Sequence, residues 1–476
     1  MRGGRRAHRR RSPLHIGVEG VLHRARRAQN EFASWPQHRV DELVAAVGWS
    51  CYREDNARTM AAMAHQHTGL GDPEHLFALH RKRVLGTLRD MQGATTVGVL
   101  EDDPDRGLCT LAKPLGVVAL ISPATAPCSA VACTGLQLLK TRNAVICSPN
   151  PAAQEAVDFT IGLMRSALRE VGAPPDLIQR AGPATRETAE EIMRGADFVV
   201  ASGGASTVRR AYRSGTPAIG AGVGNPTVVV DETADLDLAA EKIGIGASYN
   251  NGTSCSSESN LLVSREIVAE FENRLRSLGM HTCDADETAR LRRAMWPDGV
   301  RLDRAAIGRP AATLAARAGI DLTDPAKTTT LVTPLDRVDV TDPLFGEKLS
   351  PVVTMVAYDS FADVVDAVDA ITRHCGSGHS CGIHTTRNDR VNILADRIGV
   401  ARVMVNQSTG AGNSGSFDNG LPFTSIVASG SWGGCAQSEN VNWRHFMNRT
   451  TISRPIRERL PDENAIFGAY WDRHGV

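Results

Sequence analysis

The amino-acid sequence predicts an α/β fold built from two parallel-sheet domains. Three observations carry this. From Pro114 onward, short apolar strands alternate with helical patterns, and that alternation needs crossover connections and a parallel sheet. Rigid or small residues punctuate the strand ends at Ser122-Pro123, Ser148-Pro149 and Ser202-Gly203-Gly204. The alternation then resumes in a second unit over residues 241–440. A chain of 476 residues is also too long for one compact core and points to two or three domains.

The elements follow in chain order. Residues 28–92 read as helices: apolar positions recur at helical spacing from Val40 to Val47 and again from Ala57 to His67, until Gly69, Gly71 and Pro73 break the pattern. Residues 95–113 alternate as short strands. Then come a buried strand over 115–121, a helix over 129–140, a strand over 143–147, a helix over 152–171 and a strand over 197–201. Ligands of such a sheet bind beyond the carboxyl ends of its strands. Pro123, Ser148, Gly203 and Gly204 all fall there, which predicts one cleft. The run Gly220 to Gly224 looks like a dinucleotide fingerprint, but a strand follows it rather than a helix, so none is assigned. In the second unit a strand over 352–357, a helix over 361–373 and a strand over 402–406 are clearest.

Composition narrows the class. Apolar content of 42% with 44 glycines fits a soluble α/β enzyme. No apolar run reaches the ~18 residues that span a bilayer. Ten cysteines lie scattered without zinc-type spacing, and no signal peptide precedes them. They read as reduced thiols in a cytoplasmic protein with no metal site. Net charge is zero, yet residues 1–27 hold nine arginines against one glutamate. Residues 1–21 are expected to be a disordered arginine-rich extension rather than an arm for nucleic acid or an anionic membrane. No apolar segment follows Arg9-Arg10-Arg11, which excludes a twin-arginine export signal.

Cys255 is the residue most suited to chemistry. It stands among Asn250, Asn251, Gly252, Thr253, Ser254, Ser256 and Ser257, just before the apolar run 259–263. Small polar neighbours leave room at the sulfur and put backbone N–H groups nearby, the two needs of a thiolate that attacks a carbonyl. Two further stretches matter: Thr216 to Glu232, and Ser431-Trp-Gly-Gly434 with Ser438-Glu-Asn440. With Cys255 they resemble the aldehyde dehydrogenase superfamily, in particular its CoA-acylating branch, over residues 22–474.

The resemblance implies an aldehyde dehydrogenase-like fold. Residues 22–240 would form the dinucleotide-binding domain and 241–440 the catalytic domain. Residues 95–113 would join a small oligomerisation sheet, and 441–476 would bridge subunits of a homodimer or homotetramer. It also implies a reaction: an aldehyde, NAD(P)+ and CoA give an acyl-CoA through a thioester on Cys255. Thr125, in Pro123-Ala-Thr125-Ala-Pro127, falls where hydrolytic members place an oxyanion-binding asparagine; equally, it could cap the next helix. Ala126 departs from the asparagine usual in the branch. Gly203 and Gly204 would hold the cofactor diphosphate, Pro123 and Ser148 would line its cleft, and Glu347 would hold the nicotinamide ribose. Pro151 stands where hydrolytic members carry a glutamate on the adenosine ribose, so nothing there rejects NADP.

Aligned on Gly224-Asn225, Ala221 occupies the place of the base that activates water in hydrolytic members. Alanine cannot do that, whereas a thiol such as CoA needs no such base. His379, in Gly378-His-Ser-Cys-Gly382, matches a pattern of the branch and on its own reads as structural. The stretches 48–57, 83–90 and 466–471 resemble sulfoacetaldehyde dehydrogenases of the branch. They are expected to lie away from the carbonyl and so to indicate kinship rather than specificity. Succinate semialdehyde, acetaldehyde and propionaldehyde are the alternative substrates. A catalytically silent binding protein using the basic tail is the alternative from another class.

Overall fold

The computed structural model describes residues 13–475. It opens with four helices, α1 (Pro13–Phe32), α2 (Gln37–Tyr52), α3 (Glu54–Thr68) and α4 (Pro73–Met91). Here the expected disorder of residues 1–21 needs correction. Residues 1–12 lie outside the described residues, but the helix runs from Pro13 and buries Val18, Val21, Ala25, Ala28 and Phe32 in the first core. Arg26 on its exposed side pairs with Asp197 at 2.9 Å. The dense arginines hid an amphipathic stripe whose buried side is helical in period.

Two strands follow, β1 (Gly98–Asp103) and β2 (Leu108–Pro114). The first parallel sheet contains β3 (Val117–Ile121), β4 (Ala144–Ser148), β5 (Ile178–Arg180), β6 (Phe198–Ser202) and β7 (Ala218–Ala221), in the order β5-β4-β3-β6-β7. Its crossovers include α5 (Pro127–Lys140), α6 (Gln154–Glu170), α7 (Arg186–Gly195) and α8 (Ala205–Tyr212). Every residue of α5 is buried, because the helix lies between the sheet and the packed α2, α4 and α6. Its one charge, Lys140, is bonded to Asp41, as a buried ammonium requires.

The second sheet has seven parallel strands: β8 (Thr227–Val230), β9 (Asn260–Ser264), β10 (Met280–Thr282), β11 (Thr330–Leu335), β12 (Val352–Tyr358), β13 (Cys381–His384) and β14 (Val403–Val405). Their order is β10-β11-β12-β9-β8-β13-β14. Since β8 sits in the middle of this sheet, the domain boundary expected at 240/241 moves back to the glycine-rich run 222–226. That run carries the chain from β7 of one sheet to β8 of the other, which explains why a strand rather than a helix follows it. Helix α9 (Leu236–Ser248) then packs on the second sheet.

β15 (Met447–Ser453) pairs antiparallel with β2, which pairs with β1, giving a separate three-stranded sheet. The expected tail also starts later than 441: Val441, Trp443 and Phe446 belong to the first core. The last helix, Glu463–His474, buries none of its residues. All ten cysteines are free thiols. Among the described residues no helix is long and apolar enough to cross a membrane.

Candidate active site

The two parallel sheets face each other across one cavity of ≈ 810 Å³. Pro123, Thr125, Ser148, Gly203, Gly204, Cys255 and Glu347 all line it. The first sheet presents its carboxyl ends, as expected: Pro123 follows β3, Ser148 ends β4, Gly203 follows β6 and Ala221 ends β7. The second sheet presents its amino ends: Cys255 precedes β9, Glu347 precedes β12, and His379 and Arg402 directly precede β13 and β14. The carboxyl-end rule therefore holds for one side only.

The loop that carries Cys255 is held tightly. Asn250, Asn251 and Gly252 adopt φ of 52°, 53° and 63°, and asparagine and glycine are the residues that tolerate such angles. Asn250 Nδ2 donates to Thr253 Oγ1 (2.6 Å), and its Oδ1 accepts from the Asp72 N–H (2.9 Å). Gly224 lies so close beneath that a Cβ there would stand 2.0 Å from the Cys255 carbonyl oxygen. Any side chain at 224 would push the Cys255 loop out of place.

Cys255 is half-buried and opens to the cavity. Burial, reinforced by the Glu347 carboxylate, pushes its thiol up to about 11; Arg83, a hydrogen bond with Ser256 and Arg402 act against this. His379 Nε2 lies 3.3 Å from Sγ, although 124 residues separate the two in sequence. The imidazole is fully buried, and that burial, with the nearby Arg402 charge, depresses it to about 3 and keeps it neutral. Its Nδ1 meets Ser380 Oγ at 2.9 Å, and Asn413 Nδ2 donates to that hydroxyl at 2.8 Å. The Ser380 hydroxyl is then free to donate to Nδ1, so the network assigns the proton to Nε2. The sulfur thus faces an N–H donor that favours its thiolate. His379, which on its own read as structural, is brought by this contact to the sulfur.

Among the described residues Glu347 is the one carboxylate on the cavity wall, and its Oε1 accepts from the Gly224 N–H at 3.1 Å. Burial raises it to about 7. The adjacent Lys348 turns the other way and donates to the Ser259 carbonyl (2.9 Å) and hydroxyl (3.0 Å), which ties this loop to the start of β9. Thr125 does not cap α5; the N-cap is Ala126, with no side-chain bond, which leaves the Thr125 hydroxyl to the cavity. The Cys255 N–H pairs with no acceptor among the described residues.

The other end of the cavity fits a dinucleotide diphosphate. Gly203 has φ of 152°, and a Cβ on Gly204 would meet nothing within 4 Å. Helix α8 begins directly after with no side-chain cap, so its first N–H groups are open to an anion. Arg186 and Arg210 enter the lining there beside Pro151. Elsewhere, His281, Cys283 and Glu287 bring donor atoms within 4.8 Å of one another. Glu287 already accepts from the Asp284 N–H and meets His281, so that group satisfies itself.

A model of the aldehyde dehydrogenase family matches residues 17–281. The chain belongs to this family. A sulfoacetaldehyde dehydrogenase from an Acholeplasma species is 37% identical over 95% of this chain and 94% of its own length. The acylating sulfoacetaldehyde dehydrogenase of Cupriavidus necator is also 37% identical, over 96% of this chain and 93% of its own. The crystal structure of an acetylating aldehyde dehydrogenase from Geobacillus thermoglucosidasius superposes with a TM-score of 0.90 at 27% identity, covering 94% of this chain and 98% of that one. In this aldehyde dehydrogenase the carboxyl-end cleft of the first sheet and Cys255 of the facing sheet stand on opposite walls of one cavity.

Proposed function

We propose that this protein oxidises an aldehyde with NAD(P)+ and transfers the acyl group to CoA through a thioester on Cys255, with sulfoacetaldehyde as substrate. The observation that carries the acylating reading is the make-up of the cavity wall. Ala221 lines it where hydrolytic members hold a base, and the lone carboxylate, Glu347, is bonded to the Gly224 N–H. Names of relatives at 37% identity over nearly the whole chain support the substrate.

The residues divide the work as follows. Cys255 Sγ, as thiolate, adds to the aldehyde carbon, with the His379 Nε2–H opposite the sulfur. The Cys255 N–H and the Thr125 hydroxyl hold the resulting oxyanion. Bound NAD(P)+ supplies the oxidant that converts the thiohemiacetal to the thioester. Gly203, Gly204 and the start of α8 would hold its diphosphate, Pro123 and Ser148 would line its cleft, and Glu347 would accept hydrogen bonds from its ribose hydroxyls. The CoA thiolate then attacks the thioester carbonyl, acyl-CoA leaves, and Cys255 returns as thiolate. Pro151 with Arg186 and Arg210 favours a phosphorylated adenosine ribose, which both NADP+ and CoA carry. The exposed three-stranded sheet and last helix, with Ile452, Phe467 and Tyr470 exposed, serve a homodimer or homotetramer.

The test is product identity. With aldehyde and cofactor but no CoA, reduction should stop at about one equivalent per active site as the thioester accumulates. Added CoA should restore turnover and give acyl-CoA by mass spectrometry. Free acid as the main product, at equal rate with and without CoA, would overturn the reading and assign the base role to Glu347.

A further inference from the structure

Arg83, at the middle of α4, reaches into the same cavity as Cys255. It opens the stretch 83–90 that the sequence placed away from the carbonyl, and the structure corrects that placement for this first residue. Its guanidinium has no carboxylate partner among the described residues. Nη1 and Nη2 make only long contacts, 3.4 Å each, to the hydroxyls of Ser129 and Ser414. Its Nε is buried with no partner among the described residues, as is that of Arg402, so the two differ at their terminal nitrogens.

The contrast with Arg402 is informative. That arginine also lies near the sulfur, but its terminal nitrogens donate to the His379 carbonyl (3.1 Å), to Asn440 Oδ1 (3.1 Å) and to the Ala428 carbonyl. Arg402 is committed to the scaffold and Arg83 is not. Leu79, one turn earlier on α4, and Ala126 and Ala130 line the same cavity, and Cys255 and Tyr249 are near enough to act on the Arg83 charge. A partly buried guanidinium without a carboxylate partner, on the wall of the cavity that holds Cys255, lacks one thing, an anion.

We propose that Arg83 is the specificity residue for the substrate's charged end. It binds the sulfonate of a short anionic aldehyde and so seats the carbonyl at Cys255. This rests on the acylating reading above and deepens it by naming the residue that selects the substrate class. The guanidinium fork matches two anionic oxygens at once. A sulfonate stays ionised at any working pH, so the pairing does not depend on protonation.

The test compares sulfoacetaldehyde with propionaldehyde at saturating CoA and cofactor in wild type, Arg83→Gln and Arg83→Lys. Wild type should favour the sulfonate. In Arg83→Gln the ratio of the two kcat/KM values should fall by about 100-fold, chiefly through the KM for sulfoacetaldehyde, and Arg83→Lys should restore part of it. An equal fall for both aldehydes would mean that Arg83 serves the thiol instead, and would overturn the proposal. A wild type with no preference for the sulfonate would overturn it together with the choice of substrate. A wild type that forms no acyl-CoA from any aldehyde would instead bring down the acylating reading itself. A second measurement needs no variant: millimolar ethanesulfonate should protect Cys255 of the wild type from iodoacetamide, and equal ethanol should not. Absence of that protection would also overturn the proposal.

Discussion

The two ends of the seven-stranded sheet treat charge in opposite ways. Beyond the carboxyl ends of β8 and β13, Arg390 bonds Asp231 and reaches both Glu232 oxygens at 2.8 and 2.6 Å. The hydroxyls of Thr233 and Thr385 complete Asp231. Burial works against that carboxylate, yet these bonds hold it below its usual range. At the amino ends, His379 is buried and Cys255 and Glu347 are half-buried, with few or no charged partners, and burial is the first cause of each of their shifts. One end is closed and holds loops together; the other keeps its polar groups for a visitor. Burial without pairing is what distinguishes a reacting end from a structural one.

That comparison can be broken at four places. The largest effect belongs to Cys255→Ser, which should lower aldehyde oxidation by at least about 10³-fold while reduced-cofactor fluorescence still reports binding. Near-normal turnover in that variant would remove the cysteine from the chemistry. Next, His379→Ala should lower kcat/KM by about 10- to 100-fold, and the pH midpoint for alkylation of Cys255 should rise because the thiolate loses its N–H donor. An unmoved midpoint would return His379 to a purely structural role.

The closed end should respond in stability instead. Arg390→Met leaves the fully buried Asp231 without its cation, and should cost about 3 kcal/mol in urea unfolding with kcat/KM near wild type. The smallest effect is a pH dependence at Glu347. Its folded-state carboxyl sits at about 7 against an ordinary 4.5, so the folded chain binds that proton more tightly than the unfolded one. Below the ordinary value both states are protonated and nothing is lost; as pH rises toward 7, ionisation favours the unfolded chain. Glu347→Gln should therefore match wild type near the acid end and exceed it by about 2 kcal/mol at pH 8, after allowance for solvent reaching the cavity. Equal stability of the two proteins across that range would show the carboxylate to be well solvated.

Much of the site was legible in the sequence because its residues are tied to local features. Pro123, Ser148, Gly203 and Gly204 sit where strands end, and apolar runs reveal where strands end. Cys255 declared itself through its small polar neighbours. Where the reading failed, the deciding quantity was not local. Arginines at 24, 26 and 27 masked the stripe of α1, whose burial depends on a sheet formed more than 80 residues later. The domain boundary was set too late because nothing in 227–230 says which sheet a strand will join.

By itself, the sequence determined the α/β class and the parallel sheets, and it singled out Cys255 and the glycines after the strands, since each follows from periodicity or from conformations few residues can adopt. The tertiary structure alone decided that the second sheet meets the first with its amino ends. It brought His379 to the sulfur from 124 residues away, and it left Arg83 unpaired while it committed Arg402. These are consequences of sheet order and crossover packing, which set the distances between loops. Proton affinities and free charges are functions of those distances and of burial, and neither is written in the spacing of residues along a chain.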